Sequence, residues 1–334
     1  MKHLRWGVLA AGRIAGKFAS GLSTITDQAT ALAVGSRSLE KAQAFAAEHG
    51  IERAYGSYDE LLADPEVDAV YIATPNSLHA EWSIKAARAG KHILCEKPVT
   101  VNAPELEKVL AVVKDCDVFF MEAFMYRCHP QWSKLFEIID AGTIGEVRVL
   151  YSTFAYHMGL DENARRNIRL SNPLAGGALM DVGCYCVSFS RLVAREEPVA
   201  CHAVCHIGEQ TRVDHQTTGI LKFPSGIVAS FATATQCGVP ARARIYGSGG
   251  SITVTTPWFP NDENATLVVN AGGTTETVAV THGRELYANE ALTVAQHLDA
   301  RQAPRPAMSW PDSLGQMRTL DALRKSMDLE FDCE

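Results

Sequence analysis

Three side chains in this sequence, Lys97, Asp181 and Tyr185, could together move protons at a carbon–oxygen centre. A lysine ammonium near a tyrosine favours the phenolate and draws the phenol pKa toward neutrality. Asp181 stands four residues before Tyr185, so a helix would put both on one face. A competing reading of each is simple. Lys97 could be a solvated surface charge, Tyr185 a packed aromatic and Asp181 a support for a helix start. The elements that carry them decide between these readings.

Lys97 lies in Glu96-Lys97-Pro98, just after the apolar run His92-Ile93-Leu94-Cys95. A second run, Ala69-Val70-Tyr71-Ile72-Ala73, ends at Thr74-Pro75-Asn76, and Leu78 to Ala89 between the two reads as a helix that Gly90 can end. Strand, helix, strand of this length is a parallel βαβ unit, and open parallel sheets bind ligands beyond the carboxyl ends of their strands. Pro98 removes a backbone donor and turns the chain there, which aims Lys97 at that crevice.

Upstream, Leu4 to Ala10 reads as the first strand and Arg13 to Leu22 as the first helix. The turn between them, Ala10-Ala11-Gly12-Arg13-Ile14-Ala15, is a dinucleotide fingerprint with alanine at its first and third positions. Gly12 admits a pyrophosphate to the backbone, and the helix N-terminus favours its charge. After the strand Thr30 to Gly35 come Ser36-Arg37-Ser38, with Lys41 one turn on and no acid to hold a ribose 2′-hydroxyl. A guanidinium suits a 2′-phosphate, so the expected cofactor is NADP rather than NAD. His79, after Asn76, reads as a helix-start hydrogen-bonder near the cofactor.

The alternation of strands and helices over residues 1–124 predicts a doubly wound parallel sheet of the Rossmann type. From Gly145 onward strands dominate, and residues 125–334 predict an α+β domain with a large, mainly antiparallel open sheet. A helical stretch over Gly177 to Ala194 is inserted early, and helices over Glu285 to Arg301 and Asp312 to Met327 close the chain. The Cys201-His202 and Cys205-His206 pairs lie on a strand that splits them between faces, so no metal site is expected.

With 334 residues and 47% apolar composition the chain can bury two ordinary cores. A formal charge of −7 argues against nucleic acid as a partner. No run of 18 apolar residues predicts a membrane span, and no leader is expected. Nine cysteines without a framework fit reduced thiols, hence a cytoplasmic location.

Several motifs occur together and in order: Gly12-Arg13-Ile14-Ala15, Ala73-Thr74-Pro75-Asn76 with His79, Glu96-Lys97-Pro98, Glu122-Ala123 with Arg127 and His129-Pro130, and Gly176-Gly177-Ala178-Leu179-Met180-Asp181-Val182-Gly183. This set resembles the Gfo/Idh/MocA oxidoreductase family over nearly the whole chain. The resemblance implies a Rossmann domain and an α/β domain whose open sheet forms an oligomer interface, here a homodimer or homotetramer. It also implies hydride transfer between a nicotinamide and a sugar, cyclitol or diol carbon, with Lys97 in the active site and Asp181 as the acid of an Asp-x-Gly motif. Many members carry histidine where this chain has Tyr185. Tyrosine there is similar to the dihydrodiol dehydrogenase and NADP-dependent D-xylose dehydrogenase branch, and makes Tyr185 the expected acid/base. His157, Arg165, Asn167 and Arg169 are expected to reach the substrate or the nicotinamide. An aldos-2-ulose reductase of the anhydrofructose type and a non-catalytic dinucleotide-sensing regulator are the alternatives.

Overall fold

The computed structural model describes residues 2–334, with Arg165 given by its backbone alone. The chain divides into two compact units, Met1–Cys128 with Arg284–Leu314, and His129–Gly283 with Gly315–Glu334. A single cut near residue 124 is therefore replaced by three crossings. Residues 284–314, expected with the second domain, pack with the first.

The first unit holds six parallel strands: β1 (Leu4–Leu9), β2 (Ala29–Gly35), β3 (Arg53–Tyr55), β4 (Ala69–Ile72), β5 (His92–Glu96) and β6 (Phe120–Ala123). Their order is β3-β2-β1-β4-β5-β6, with the reversal of direction at β1 that marks a doubly wound sheet. The inner strand β4, Ala69-Val70-Tyr71-Ile72, is a continuous apolar run buried throughout because both faces are covered. Five helices connect them: α1 (Arg13–Leu22), α2 (Leu39–His49), α3 (Tyr58–Ala63), α4 (His79–Arg88) and α5 (Ala103–Asp115). Side chains one residue before the helices set several starts. Ser38 accepts from Lys41 N, Ser57 from Glu60 N and Asn102 from Glu105 N. In the core, Phe18 stacks on Tyr71 at 4.1 Å and meets the edge of Trp6 at 5.1 Å.

The second unit opens with α6 (Gln131–Asp140), followed by β7 (Val147–Ala155), α7 (Glu162–Arg165) and α8 (Cys184–Ala194). Seven more strands follow: β8 (Ala200–Ile207), β9 (Asp214–Lys222), β10 (Val228–Ala234), β11 (Arg242–Gly247), β12 (Gly250–Val254), β13 (Thr266–Ala271) and β14 (Thr274–Ala279). The sheet runs β14-β13-β12-β11-β7-β10-β9-β8, antiparallel except for β7 beside β10. Every residue of α8 is buried. The segment Asn172–Ala194 is long and apolar enough to cross a membrane by length and composition, yet 94% of its most apolar window is buried inside the structure.

The register leaves one sheet face open. Ile220 pairs with Ser230, Ser230 with Tyr151 and Tyr151 with Arg244, while Val228 pairs with Val149 and Val149 with Tyr246. Cross-strand partners share a face, so Ile220, Tyr151, Val228, Val149 and Tyr246 stand together, and all five are exposed.

Helix α9 (Leu286–His297) returns to the first unit, and α10 (Trp310–Ser326) begins there. Packing of α9 on α1 depends on Gly21, where a Cβ would come within 2.9 Å of Ala288 N. The edge strand β6 is covered by the same returning segment. Phe120 N donates to Arg301 O at 3.0 Å, and Trp310 Nε1 donates to Phe120 O at 3.1 Å.

Ala10, the residue after β1, has φ of +87°, a conformation that costs a residue with a Cβ about 1 kcal/mol. This is the first glycine position of the dinucleotide fingerprint, so the backbone keeps the turn while the sequence bears the strain. Ala10→Gly should move the urea midpoint upward by the equivalent of roughly 1 kcal/mol. An unchanged or lowered midpoint would show that the alanine is not strained there.

Candidate active site

In the first unit the turn after β5 carries Lys97, and its backbone is held atom by atom. Tyr71 OH donates to Glu96 Oε1, while Glu96 Oε2 accepts from Lys97 N at 3.1 Å. His79 Nδ1 lies 2.8 Å from Pro98 O and its Nε2 2.8 Å from Thr74 O. Glu122 Oε1 accepts from Val99 N at 3.1 Å. Glu96, His79 and Glu122 are all buried, whereas Lys97 is half-buried. His79 thus sits between two backbone carbonyls, one at the end of β4 and one in the turn after β5, and as a neutral imidazole with a single N–H it donates to one of them. Burial pushes its pKa down to about 4, a shift the two carbonyls only partly offset.

Glu122 departs from ordinary carboxylate behaviour. Burial, with Asp312 adding to it, raises its pKa to about 7, against the Val99 amide, Ser313 and Arg127. Arg127 does not neutralise it, because its guanidinium pairs with Asp312 through Nη2 and donates Nε to Pro306 O at 2.5 Å.

The residues expected to hold a dinucleotide fit one. Gly12 begins α1 without a side-chain cap, no acid occupies the first turn, and a Cβ built on Gly12 meets nothing within 4 Å. Backbone amides and open space are what a pyrophosphate requires. Ala11 and Ile14 are half-buried, and Arg13 is exposed beside them. Ser36 is buried after β2, and Ser38 caps α2. Arg37 and Lys41 are exposed with no ion pair among the described residues, which leaves both cations for a phosphate. Thr74 Oγ1 is buried without a hydrogen-bond partner, and Pro75 and Asn76 begin a short helical turn just after it.

In the second unit, Asp181 and Tyr185 are set by a widened helical turn. Leu179–Gly183 is π-helical, with Cys184 N donating to Leu179 O five residues back. Such bulges occur frequently at functional sites. Asp214, buried, starts it: its Oδ2 accepts from Leu179 N at 2.8 Å and from the Thr217 hydroxyl at 2.5 Å. Gly177 has φ of +110° and a Cβ there would lie 2.2 Å from Asp214 Oδ1, so only glycine fits. Gly176 likewise faces Arg169 O and Ile168 O, both at 2.6 Å from a built Cβ. The two glycines let the Arg169 segment approach the bulge.

That approach completes a polar cluster. Asp181 Oδ2 accepts from Arg169 Nε at 3.0 Å and from Tyr156 OH at 2.5 Å, and Asn167 Oδ1 accepts from Arg169 N at 3.1 Å. Tyr156 escaped the sequence reading, which favoured His157. Neighbours at a strand end point oppositely, and His157 is exposed with Nδ1 2.7 Å from Gln236 O. The Arg165 side chain lies outside the described residues. Tyr185 is 4% exposed, its ring edge-on to Phe154 at 5.1 Å and to Trp258 at 5.8 Å. Trp258 donates Nε1 to Thr153 O at 3.0 Å and is buried. Among the described residues no group of three His, Cys, Asp or Glu side chains could hold a metal ion.

Because the folded state holds the Glu122 proton up to about pH 7, where an unfolded carboxyl releases it near 4.5, this residue's contribution to stability is full below 4.5 and is lost as pH rises through 7. Glu122→Gln should therefore raise Tm relative to the parent at pH 8 and leave the difference near zero at pH 5. Equal differences at both would show that Glu122 is ionised throughout.

Known proteins accord with this architecture. Residues 4–124 match the oxidoreductase family with an NAD-binding Rossmann fold, and residues 132–253 match the GFO/IDH/MocA C-terminal domain. The chain is 36% identical to trans-1,2-dihydrobenzene-1,2-diol dehydrogenase of Mus musculus, over 80% of this chain and 78% of that one. It is also 36% identical to D-xylose 1-dehydrogenase (NADP(+)) 2 of Haloferax volcanii, over 89% and 90%. A 3-ketoreductase from Actinomadura kijaniata, solved with NADP and TDP-benzene, superposes with a TM-score of 0.87 at 28% identity, covering 98% of each chain. A parallel dinucleotide fold, a buried clamp on the Glu-Lys-Pro turn and an Asp-x-Gly bulge thus coincide with full-length similarity, and the chain belongs to the Gfo/Idh/MocA family of oxidoreductases.

Proposed function

We propose that this chain is an NADP-dependent oxidoreductase of a CH–OH group on a sugar, cyclitol or trans-diol, with Tyr185 as the acid/base and Lys97 assisting it. The observation that carries the reading is the fixed turn. Buried side chains hold the backbone on both sides of Lys97, an expenditure of polar groups that a solvated lysine does not need. NADP, when bound, accepts or supplies the hydride. Ala11, Gly12, Arg13 and Ile14 hold its pyrophosphate, and Ser36, Arg37 and Lys41 take the 2′-phosphate. Thr74, Pro75, Asn76, Glu96 and Lys97 complete the cofactor set, with His79 acting through the carbonyls it holds.

In oxidation the Tyr185 phenolate, favoured by the Lys97 ammonium, takes the substrate hydroxyl proton; in reduction it returns it. Asp181, held by Arg169 and Tyr156, orients substrate hydroxyls. His157, exposed beside Tyr156, is a further substrate-binding residue. The diol and xylose dehydrogenases support the substrate class, and the NADP(+)-dependent xylose enzyme and the NADP-bound ketoreductase support the cofactor. The likeness to a ketoreductase favours a second reading, in which the same site reduces a keto sugar. The exposed apolar residues on the open sheet face support a homodimer or homotetramer through that sheet, and the free cysteines fit a cytoplasmic location.

Absorbance at 340 nm with NADP+ and a panel of pentoses, hexoses and trans-diols, and with NADPH and keto sugars, tests the activity. Turnover by the parent and a 10²- to 10⁴-fold fall in Tyr185→Phe, with cofactor binding kept, is the expected result. Cofactor binding without turnover on either panel would overturn the enzyme reading, and near-normal turnover in the variant would remove Tyr185 from the chemistry. Arg37→Ala should lower the NADP/NAD preference at least tenfold; an unchanged ratio would discard the 2′-phosphate assignment.

A further inference from the structure

Glu122 opens the Glu122-Ala123 motif, and the reaction above makes no use of it. Strand β6 places it opposite Cys95 on β5, one residue short of Glu96. From there its side chain reaches past the strand end to the Val99 amide, at 3.1 Å. Glu122 is 1% exposed, and its second oxygen, Oε2, is buried with no hydrogen-bond partner among the described residues. A carboxylate would leave that oxygen's charge unsatisfied, while a carboxylic acid carries its proton there and still accepts from Val99 through Oε1. The groups that face it are few. Cys95 adjoins it from β5, Arg127 from the turn after β6, and Asp312 and Ser313 from the returning segment, with Arg305 Nε 3.7 Å from Asp312. Arg127 is committed to Asp312 and Pro306, so the surroundings do not fix Glu122 in its charged form.

Of the three side chains that grip the turn, Glu122 is the one placed two residues beyond Lys97 on a backbone donor. An N–H bond to a carboxylate is roughly twice as strong as one to a neutral oxygen. Gain of a proton therefore slackens the grip, and loss of it tightens the grip, without Glu122 touching a reacting atom.

We propose that Glu122 is a positioning residue for Lys97, which it governs through the Val99 amide, and that its proton sets two states of that turn. The inference rests on the reading of Lys97 as an active-site lysine, but its test needs no substrate. The full chain is labelled with ¹⁵N and its lysines carry ¹³C-methyl groups, with Lys97→Arg assigning the Lys97 signal. Both the Val99 amide shift and the Lys97 methyl shift are followed from pH 5 to 9.

In the parent the two signals should move together with a midpoint of about 7, and in Glu122→Gln both movements should be lost. If the glutamine variant does not fold, Glu122→Asp, which shortens the reach by one methylene, should shrink the Val99 movement and the Lys97 movement in step. A Val99 titration that persists in Glu122→Gln, or a Lys97 signal that ignores either substitution, would overturn the proposal. Absence of turnover on the sugar and diol panel would instead count against the oxidoreductase reading and leave these shifts as they are.

Discussion

The hydrogen bonds on the backbone of the Glu96 to Val99 turn are the constraint from which the first unit takes its functional form. A chain leaving a parallel strand normally satisfies its amides and carbonyls with water or a following helix. Here Lys97 N, Pro98 O and Val99 N are instead taken by Glu96, His79 and Glu122, and each of those side chains is buried. Three different elements supply them: β5, α4 and β6. The turn can move only if neighbouring strands move with it, which is how a flexible lysine stem comes to start from a fixed place. Burying two carboxyls for this purpose is costly, and the protein offsets the cost with local partners, Tyr71 for Glu96 and the Val99 amide for Glu122.

A comparable economy of parts governs the second unit. One buried carboxylate, Asp214, accepts the amide that begins the widened turn, and two glycines remove the side chains that would block it. The turn then delivers Asp181 to Arg169 and Tyr156, while Tyr185 enters an aromatic wall of Phe154 and Trp258. Polar and apolar surroundings are thereby assigned to residues only four apart. The charge of Asp181 is matched by a guanidinium and a phenol, and the Tyr185 ring is shielded from water.

Much of this was legible in the residue order. The large, mainly antiparallel sheet expected of the second domain appears, because the alternation of apolar and polar residues in its strands matches a sheet with one open face. The first sheet was readable from short apolar runs ending in polar turns, and the Glu-Lys-Pro, Asp-x-Gly and glycine-pair motifs marked the sites. The return of residues 284–314 to the first unit was not legible. An amphipathic helix such as α9 shows that it packs on something, but not on what; contact with Gly21 and the β6 edge decided that.

The sequence by itself determined the periodicities, the caps, the fingerprint turn and the chemical types brought to each strand end, since these depend on neighbours along the chain. Tertiary structure alone decided which groups meet. It set His79 between two backbone carbonyls, chose Tyr156 over His157 as the partner of Asp181, placed Asp181 within a π turn just ahead of Tyr185, and set Glu122 against Val99. The reason is physical: pairing and desolvation depend on distances across the fold, and residues far apart in order carry no local signature of being close in space.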